Sequence, residues 1–495
     1  MPRGSTIPVT RGVFAIPNLA RRAGIIAVTR LANQALILFS PLILVRLLSV
    51  AEFGRYREFL LYVGLLAALA AFGINNSLMY FVPARPENAW RFVRQAVVLT
   101  AFNSLVGVLL LVTLDTLSGG AVVGEYLAPV CLYTLLFVNV DFWEFLWLGL
   151  KRPGAVFVYS SGRVLARMTV VIVAASVSGD VNTIITALIA LEALRLAVSI
   201  VVWRRMARGA EHAVAGSWRE QLRFCTPVGT ALVLVTANKS LGGLFVAKAM
   251  GPVALAHYTI GTYVEPIISV LRNSISDALL PEMAARDGKA DADPLHLWRR
   301  TTVVSAILLL PAAVLLHRYA APLVATLFSN EYLPAAVVVQ IYVLTFIREC
   351  FDFGVLLRAI NRTAPMVAGN VAAVVANLVL LAVLIPPFGL AGAVSAFVFS
   401  RFLDAAYLAW RTLDLFDVRL RELACWGDLA RVVAATAVAA VPIYAFDWLH
   451  AFGLVGIVPA LVVFAATFAL ALRVLRLPEA VEMFRRLRQP LGARP

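Results

Sequence analysis

Long apolar stretches, interrupted at regular intervals by short clusters of charge, proline and glycine, make up almost the whole chain. A helix needs about 20 predominantly apolar residues to cross a hydrocarbon core of about 30 Å. Cutting the chain at each interruption leaves fourteen such stretches, near 24–46, 59–82, 95–117, 126–149, 157–178, 183–203, 224–247, 255–280, 301–323, 335–357, 364–385, 390–410, 428–448 and 453–472. The pattern predicts an all-α polytopic membrane protein of about 14 transmembrane helices. The longest outer loop is expected near 47–58.

Composition points to the same solvent. Of 495 residues 61% are hydrophobic and only 14% charged, and the mean hydropathy of +0.87 excludes a set of water-soluble globules. The first apolar run, about 23–47, is too long for the core of a cleaved signal and carries Arg30, Asn33 and Gln34. It is read as a retained first helix behind a cytoplasmic segment, 1–22. Cys131, Cys225, Cys350 and Cys425 lie in apolar stretches or beside basic loops, which implies no disulfide framework.

The net charge of +15 could mean nucleic acid, but its placement argues for a membrane. With fourteen spans, 29 of the 43 basic residues fall on one side and 3 on the other. The positive-inside rule makes the rich side cytoplasmic and puts both termini there. Nucleic acid is not an expected partner; membrane lipids are.

Two intramembrane charge patterns recur at one offset. Asp141 and Glu144 are followed 208 residues later by Glu349 and Asp352. Glu192 with Arg195 is followed 209 residues later by Arg401 with Asp404. The stretch Leu48 to Tyr56 is echoed by Met250 to Tyr258. Charges are too rare in lipid to coincide easily, so the chain reads as a parallel duplication. The expected organisation is a first six-helix lobe, 23–210, a second, 211–425, two appended helices, 426–475, and a cytoplasmic tail, 476–495.

Particular segments carry a family likeness. Leu47 to Pro83 (LLSVAEFGRYREFL, then FGINNSLMYFVP), Leu222 to Met283 (LRFCTPVG, MGPVALAHY, DALLPEM) and above all Phe328 to Phe397 (FSNEYLPAA, then NLVLLAVLIPPFGLAGAVSAF) resemble the polysaccharide transporters of the Wzx type. These belong to the multidrug/oligosaccharidyl-lipid/polysaccharide exporter superfamily. The resemblance implies two six-helix lobes in a pseudo-twofold V around a central cavity and alternating access in a bacterial inner membrane. It implies a cargo of polyprenyl-diphosphate-linked oligosaccharide, with a polymerase and glycosyltransferases of the same pathway as partners. The family often has an acidic residue in the seventh helix, where this chain has Asn238 beside Lys239.

A charge at the bilayer centre costs on the order of 2.5–3.5 kcal/mol on insertion scales, so each should face protein or water with a partner. A diphosphate carries about two negative charges and needs fixed cations in a wet cavity. Arg30 and Lys239, in the first helix of each expected lobe, are the first candidates to contact it, with Arg272 and Arg348 second and Asn33 and Gln34 as polar neighbours. Ion pairing that only holds helices together is the competing role for each arginine, and an intrahelical pair is open to Glu192–Arg195 and Arg401–Asp404. No GxxxxGK[ST] loop occurs, so no ATP hydrolysis is expected. Coupling to H+ or Na+ would use a buried carboxylate, Glu265, Asp141 or Glu349. No other cofactor or metal is expected. A drug or cation exporter and a peptidoglycan-precursor flippase share the superfamily's architecture. A polytopic glycosyltransferase or polymerase would need a catalytic outer loop, and the 47–58 loop offers only Glu52 and Glu58 with Arg55 and Arg57.

Overall fold

Helices begin where the sequence can satisfy their first amides and end where it cannot continue them. In the computed structural model, residues 16–85, 88–207, 218–266, 268, 269, 272, 283, 294–445 and 453–475 are described. Their side chains are described from residue 32 onward, apart from 206–207 and 453–457. Among these residues the structure is helical, without strands.

The first half contains α1 (Ile16–Leu47), α2 (Val50–Ala71), α3 (Ile74–Ala84), α4 (Ala89–Leu117), α5 (Leu127–Val138), α6 (Phe142–Gly149), α7 (Pro153–Ser178) and α8 (Val181–Ala207). Then come α9 (Trp218–Met250) and α10 (Pro252–Gly261). The outer loop expected at 47–58 is instead the first turns of α2. Ser49 caps that helix, its hydroxyl accepting from the Glu52 amide at 3.2 Å. Glu52 also accepts from the Val181 amide at 2.9 Å, so one carboxylate serves the positive ends of both α2 and α8. The expected span 59–82 is broken at Phe72 and Gly73, both left-handed (φ 35° and 67°), and α2 and α3 meet at a 41° bend.

The second half contains α11 (Pro294–Arg318), α12 (Ala320–Leu327), α13 (Ala335–Tyr342), α14 (Thr345–Glu349), α15 (Phe353–Ala359), α16 (Ala364–Phe416), α17 (Leu420–Leu423), α18 (Trp426–Ala445) and α19 (Gly453–Val474). The expected span 335–357 is thus three short helices. The spans 364–385 and 390–410 run together in α16, whose one non-helical residue, Gly389 (φ 54°, ψ −127°), follows Pro386 and Pro387. The turn is tight enough that a Cβ on Gly392 would strike the Leu384 carbonyl. Among the described residues eight helices are long and apolar enough to cross a bilayer, nine if α2 and α3 form one bent span. The fourteen expected stretches are therefore not fourteen continuous helices, because breaks, fusions and undescribed ends divide them differently.

Packing separates the chain into two units. The first comprises residues 1–247 and 251–256, and the second 248–250 and 257–495. Within the first unit α1 lies on α7, α2 on α4 and α5, and α3 on α4 and α6. Ile74, Leu78, Phe81, Phe92, Val93, Phe142, Trp143 and Leu146 form a core there, and Cys225 of α9 joins it. Within the second, α13 and α14 pack on α16, and α18 packs on α11 and on α19, which also meets α12. The packing boundary thus falls near the end of α9, one helix later than the lobe boundary expected near residue 210.

Outside the cores, large apolar side chains face outward along whole helices, as on α4 with Phe102, Leu105, Leu109, Leu110 and Leu114. Such faces suit lipid rather than water.

Candidate functional site

Each unit holds a network of charged side chains, and the two networks include the acidic and basic positions that stand 208–209 residues apart in the sequence. In the first, the gap between α5 and α6 leaves Asp141 at the cap of α6 without a backbone amide to accept, which frees its carboxylate. Arg163 of α7 pairs with Asp141 and donates to Glu144 at 2.9 Å. Arg195 of α8 donates to Glu192 at 2.6 Å, to Asp141 at 3.0 Å and to the Tyr159 hydroxyl at 2.8 Å. Tyr159 in turn donates to the Val140 carbonyl at 3.0 Å. Three helices are joined by alternating charge in a medium that would otherwise penalise every member.

In the second network Glu349, at the end of α14, accepts from Arg272 at 2.6 Å, Arg401 at 3.0 Å and Arg348 at 3.4 Å. Asp404 accepts from Arg348 at 2.7 Å and Arg401 at 3.5 Å. Asp352 caps α15, accepting from the Val355 amide at 3.2 Å, while its carbonyl receives the Trp298 indole N–H at 2.8 Å.

The sequence-derived site residues fall into three groups. Asp141, Glu349, Arg348 and Arg272 are network members, and the anticipated intrahelical pairs Glu192–Arg195 and Arg401–Asp404 are present as parts of larger sets. Arg348 is 6% exposed and turned to two carboxylates, so a diphosphate could reach it only by displacing them. Outside the networks, Asn33 is buried and donates to the Ser160 hydroxyl at 2.8 Å, tying α1 to α7, while Gln34 beside it is half-buried. Glu265 is half-buried and accepts from the Ser269 hydroxyl at 2.7 Å. Lys239 is exposed on α9, next to buried Asn238. The side chain of Arg30 lies outside the described residues. Sequence reading missed Arg163 and Tyr159. Arg163, with Arg167 one turn on, was nonetheless a visible signal: two cations in one apolar span require acids nearby.

Three comparisons bear on this geometry. Residues 155–337 match a family described as polysaccharide biosynthesis protein. No curated protein matches the sequence. Among solved structures, the fold matches a Lipid II flippase, MurJ, in an inward closed conformation, with a TM-score of 0.68 at 15% identity over 91% of this chain and 99% of that one. It also matches an inward-facing multidrug resistance MATE family transporter of the MOP superfamily, with a TM-score of 0.52 at 16% identity over 79% of this chain and 98% of that one. The all-helical fold is thus one shared with these two transporters, the second of which belongs to the superfamily that the sequence motifs resemble. Residues 155–337 add a likeness to a polysaccharide biosynthesis family, and the long apolar helices are those of a multi-pass membrane protein.

Proposed function

We propose that the protein is a flippase that carries polyprenyl-diphosphate-linked oligosaccharide units from the inner to the outer leaflet of a bacterial inner membrane, for assembly of a surface polysaccharide. The observation that carries this reading is the joining of a polysaccharide-biosynthesis match with a fold also used by a Lipid II flippase. Such cargo presents a charged diphosphate that hydrocarbon rejects and a polyprenyl tail that it accepts, so the protein must supply cations and water to the headgroup alone.

In this reading the chain crosses the membrane fourteen times with both termini cytoplasmic, and two repeated lobes alternate access. Lys239 and Arg30 contact the diphosphate, with Asn33 and Gln34 as polar neighbours. Arg272 and Arg348 contribute only when released from Glu349 and Asp404. Glu265, Asp141 and Glu349 are the candidate carboxylates for H+ or Na+ coupling, and in Asp141 and Glu349 that role competes with two and three arginines. A polymerase and the glycosyltransferases of the pathway are the functional partners.

Deletion of the protein should trap completed lipid-linked units on the cytoplasmic leaflet. Incomplete units would instead indicate a sugar-transferring role, and accumulation of peptidoglycan precursor would favour the second reading that the MurJ likeness supports. Lys239→Ala and Arg30→Ala should each stop export at normal protein level; export by both variants would remove these residues from the site.

A further inference from the structure

The residues flanking α2 make two backbone-to-backbone contacts with the segments that open the second repeat. At its beginning, a Cβ on Gly54 would strike the carbonyl oxygen of Pro252, the first residue of α10. Just past its end, a Cβ on Gly73 would lie 2.9 Å from the Gly229 amide nitrogen of α9, and one on Gly229 would strike the Phe72 carbonyl. No side chain larger than hydrogen fits either contact as it stands. Nineteen residues separate Gly54 from Gly73, about 28 Å of helix at ~1.5 Å per residue, close to the thickness of a hydrocarbon core. The contacts therefore lie about one membrane thickness apart.

The second contact is reinforced over several turns. Arg85 makes a two-pronged pair with Glu220 at 2.9 and 3.0 Å. Gln221, fully buried, donates to the Ser77 hydroxyl at 2.7 Å. Tyr80 stacks on Phe224 with ring centres 5.1 Å apart. Cys225, one turn before Gly229, is 1% exposed. A helix that the repeat assigns to the second lobe is in this way fastened along its first half to α3.

We propose that Gly54–Pro252 and Gly73–Gly229 are the two closing pads of the transport cycle, one for each face of the membrane, and that Arg85, Glu220 and Gln221 latch the second. Alternating access is taken from the flippase reading. Opening toward the arginine-rich face parts α9 from α3, breaks the Arg85–Glu220 pair and uncovers Cys225; opening toward the other face separates Gly54 from Pro252 and leaves Cys225 covered.

Cys225 is a native reporter. In purified full-length protein with Cys131, Cys350 and Cys425 changed to Ser, maleimide labelling of Cys225 should rise at least tenfold in Gly229→Ala and stay at the parent rate in Gly54→Ala, both variants losing export. Equal labelling of the two variants, or a Gly229→Ala rate equal to the parent's, would overturn the proposal. To meet the case that Gly229→Ala does not fold, the same background with Arg85→Cys and Glu220→Cys is joined by a reducible bifunctional thiol reagent. Export in membrane vesicles should stop on joining and return on reduction, whereas undiminished export by the joined protein would rule the latch out. Labelling uses no cargo, so its expected pattern in a strain that accumulates no lipid-linked oligosaccharide would keep the pads and discard the flippase.

Discussion

The two ionic networks share acidic positions 208 residues apart but carry a second charged pair in opposite order. Where the first has Glu192 and Arg195 on α8, the second has Arg401 and Asp404 on α16. The inversion changes what each must recruit. In the first, Asp141 and Glu144 leave an excess of acid that Arg163 answers from a neighbouring helix, and Tyr159 shares the load on Arg195. In the second, Asp404 is answered by Arg348, adjacent in sequence to Glu349, and Arg272 adds a third guanidinium to Glu349. Across the offset the acids Asp141/Glu349 and Glu144/Asp352 keep their sign while the pair at 192 and 195 is reversed at 401 and 404, and each set draws further arginines from whichever helix is in reach.

Burial also differs. The side chains of Arg348 and Asp404 are 6% and 3% exposed, whereas those of Arg163, Asp141 and Glu144 are between 21% and 24% exposed. Removing one partner of a fully buried pair strands the other, at about 3–5 kcal/mol. Asp404→Ala should therefore produce the largest loss of stability, read as a fall in the thermal midpoint of the detergent-solubilised protein. Arg163→Met, in the wetter network, should cost about 2 kcal/mol, since each hydrogen bond to a charged group contributes about 1.5–3 kcal/mol and Asp141 keeps Arg195. If Arg163→Met proved the more damaging, the ordering of the two networks by burial would be wrong.

Tyr159→Phe removes one acceptor from Arg195 and one donor to Val140, and should lower stability by about 1 kcal/mol without displacing Arg195 from Glu192. The smallest change belongs to the double variant Arg348→Met with Asp404→Leu. Replacing a buried pair with apolar residues of similar size is often neutral, so the stability read from the melting midpoint should return to within about 1 kcal/mol of the unmodified protein. A midpoint as low as that of Asp404→Ala alone would show that the pair stabilises the second unit beyond neutralising itself.

Much of the site was legible in the amino-acid order because charge is scarce in lipid. Asp141, Glu192, Arg195, Glu349, Arg401 and Asp404 all announce themselves by standing in apolar runs, and their offsets of 208 and 209 residues led to the expectation of a duplication. Their partners did not, and neither did the helix breaks. Nothing about Phe72 marks it as left-handed apart from the glycine that follows, and residues 47–58 resemble a loop until Ser49 is seen capping α2.

By itself the sequence determined the solvent of this protein and the rarity of its buried charges, because each follows from counting apolar length against bilayer thickness. Tertiary structure decided which arginine meets which carboxylate, and that the first turns of α9 lie on α3. Such pairings depend on how each helix is rotated and where it breaks; one residue more or less turns a side chain by about 100°. That rotation is set by packing against neighbours far away in the chain, which no local pattern records.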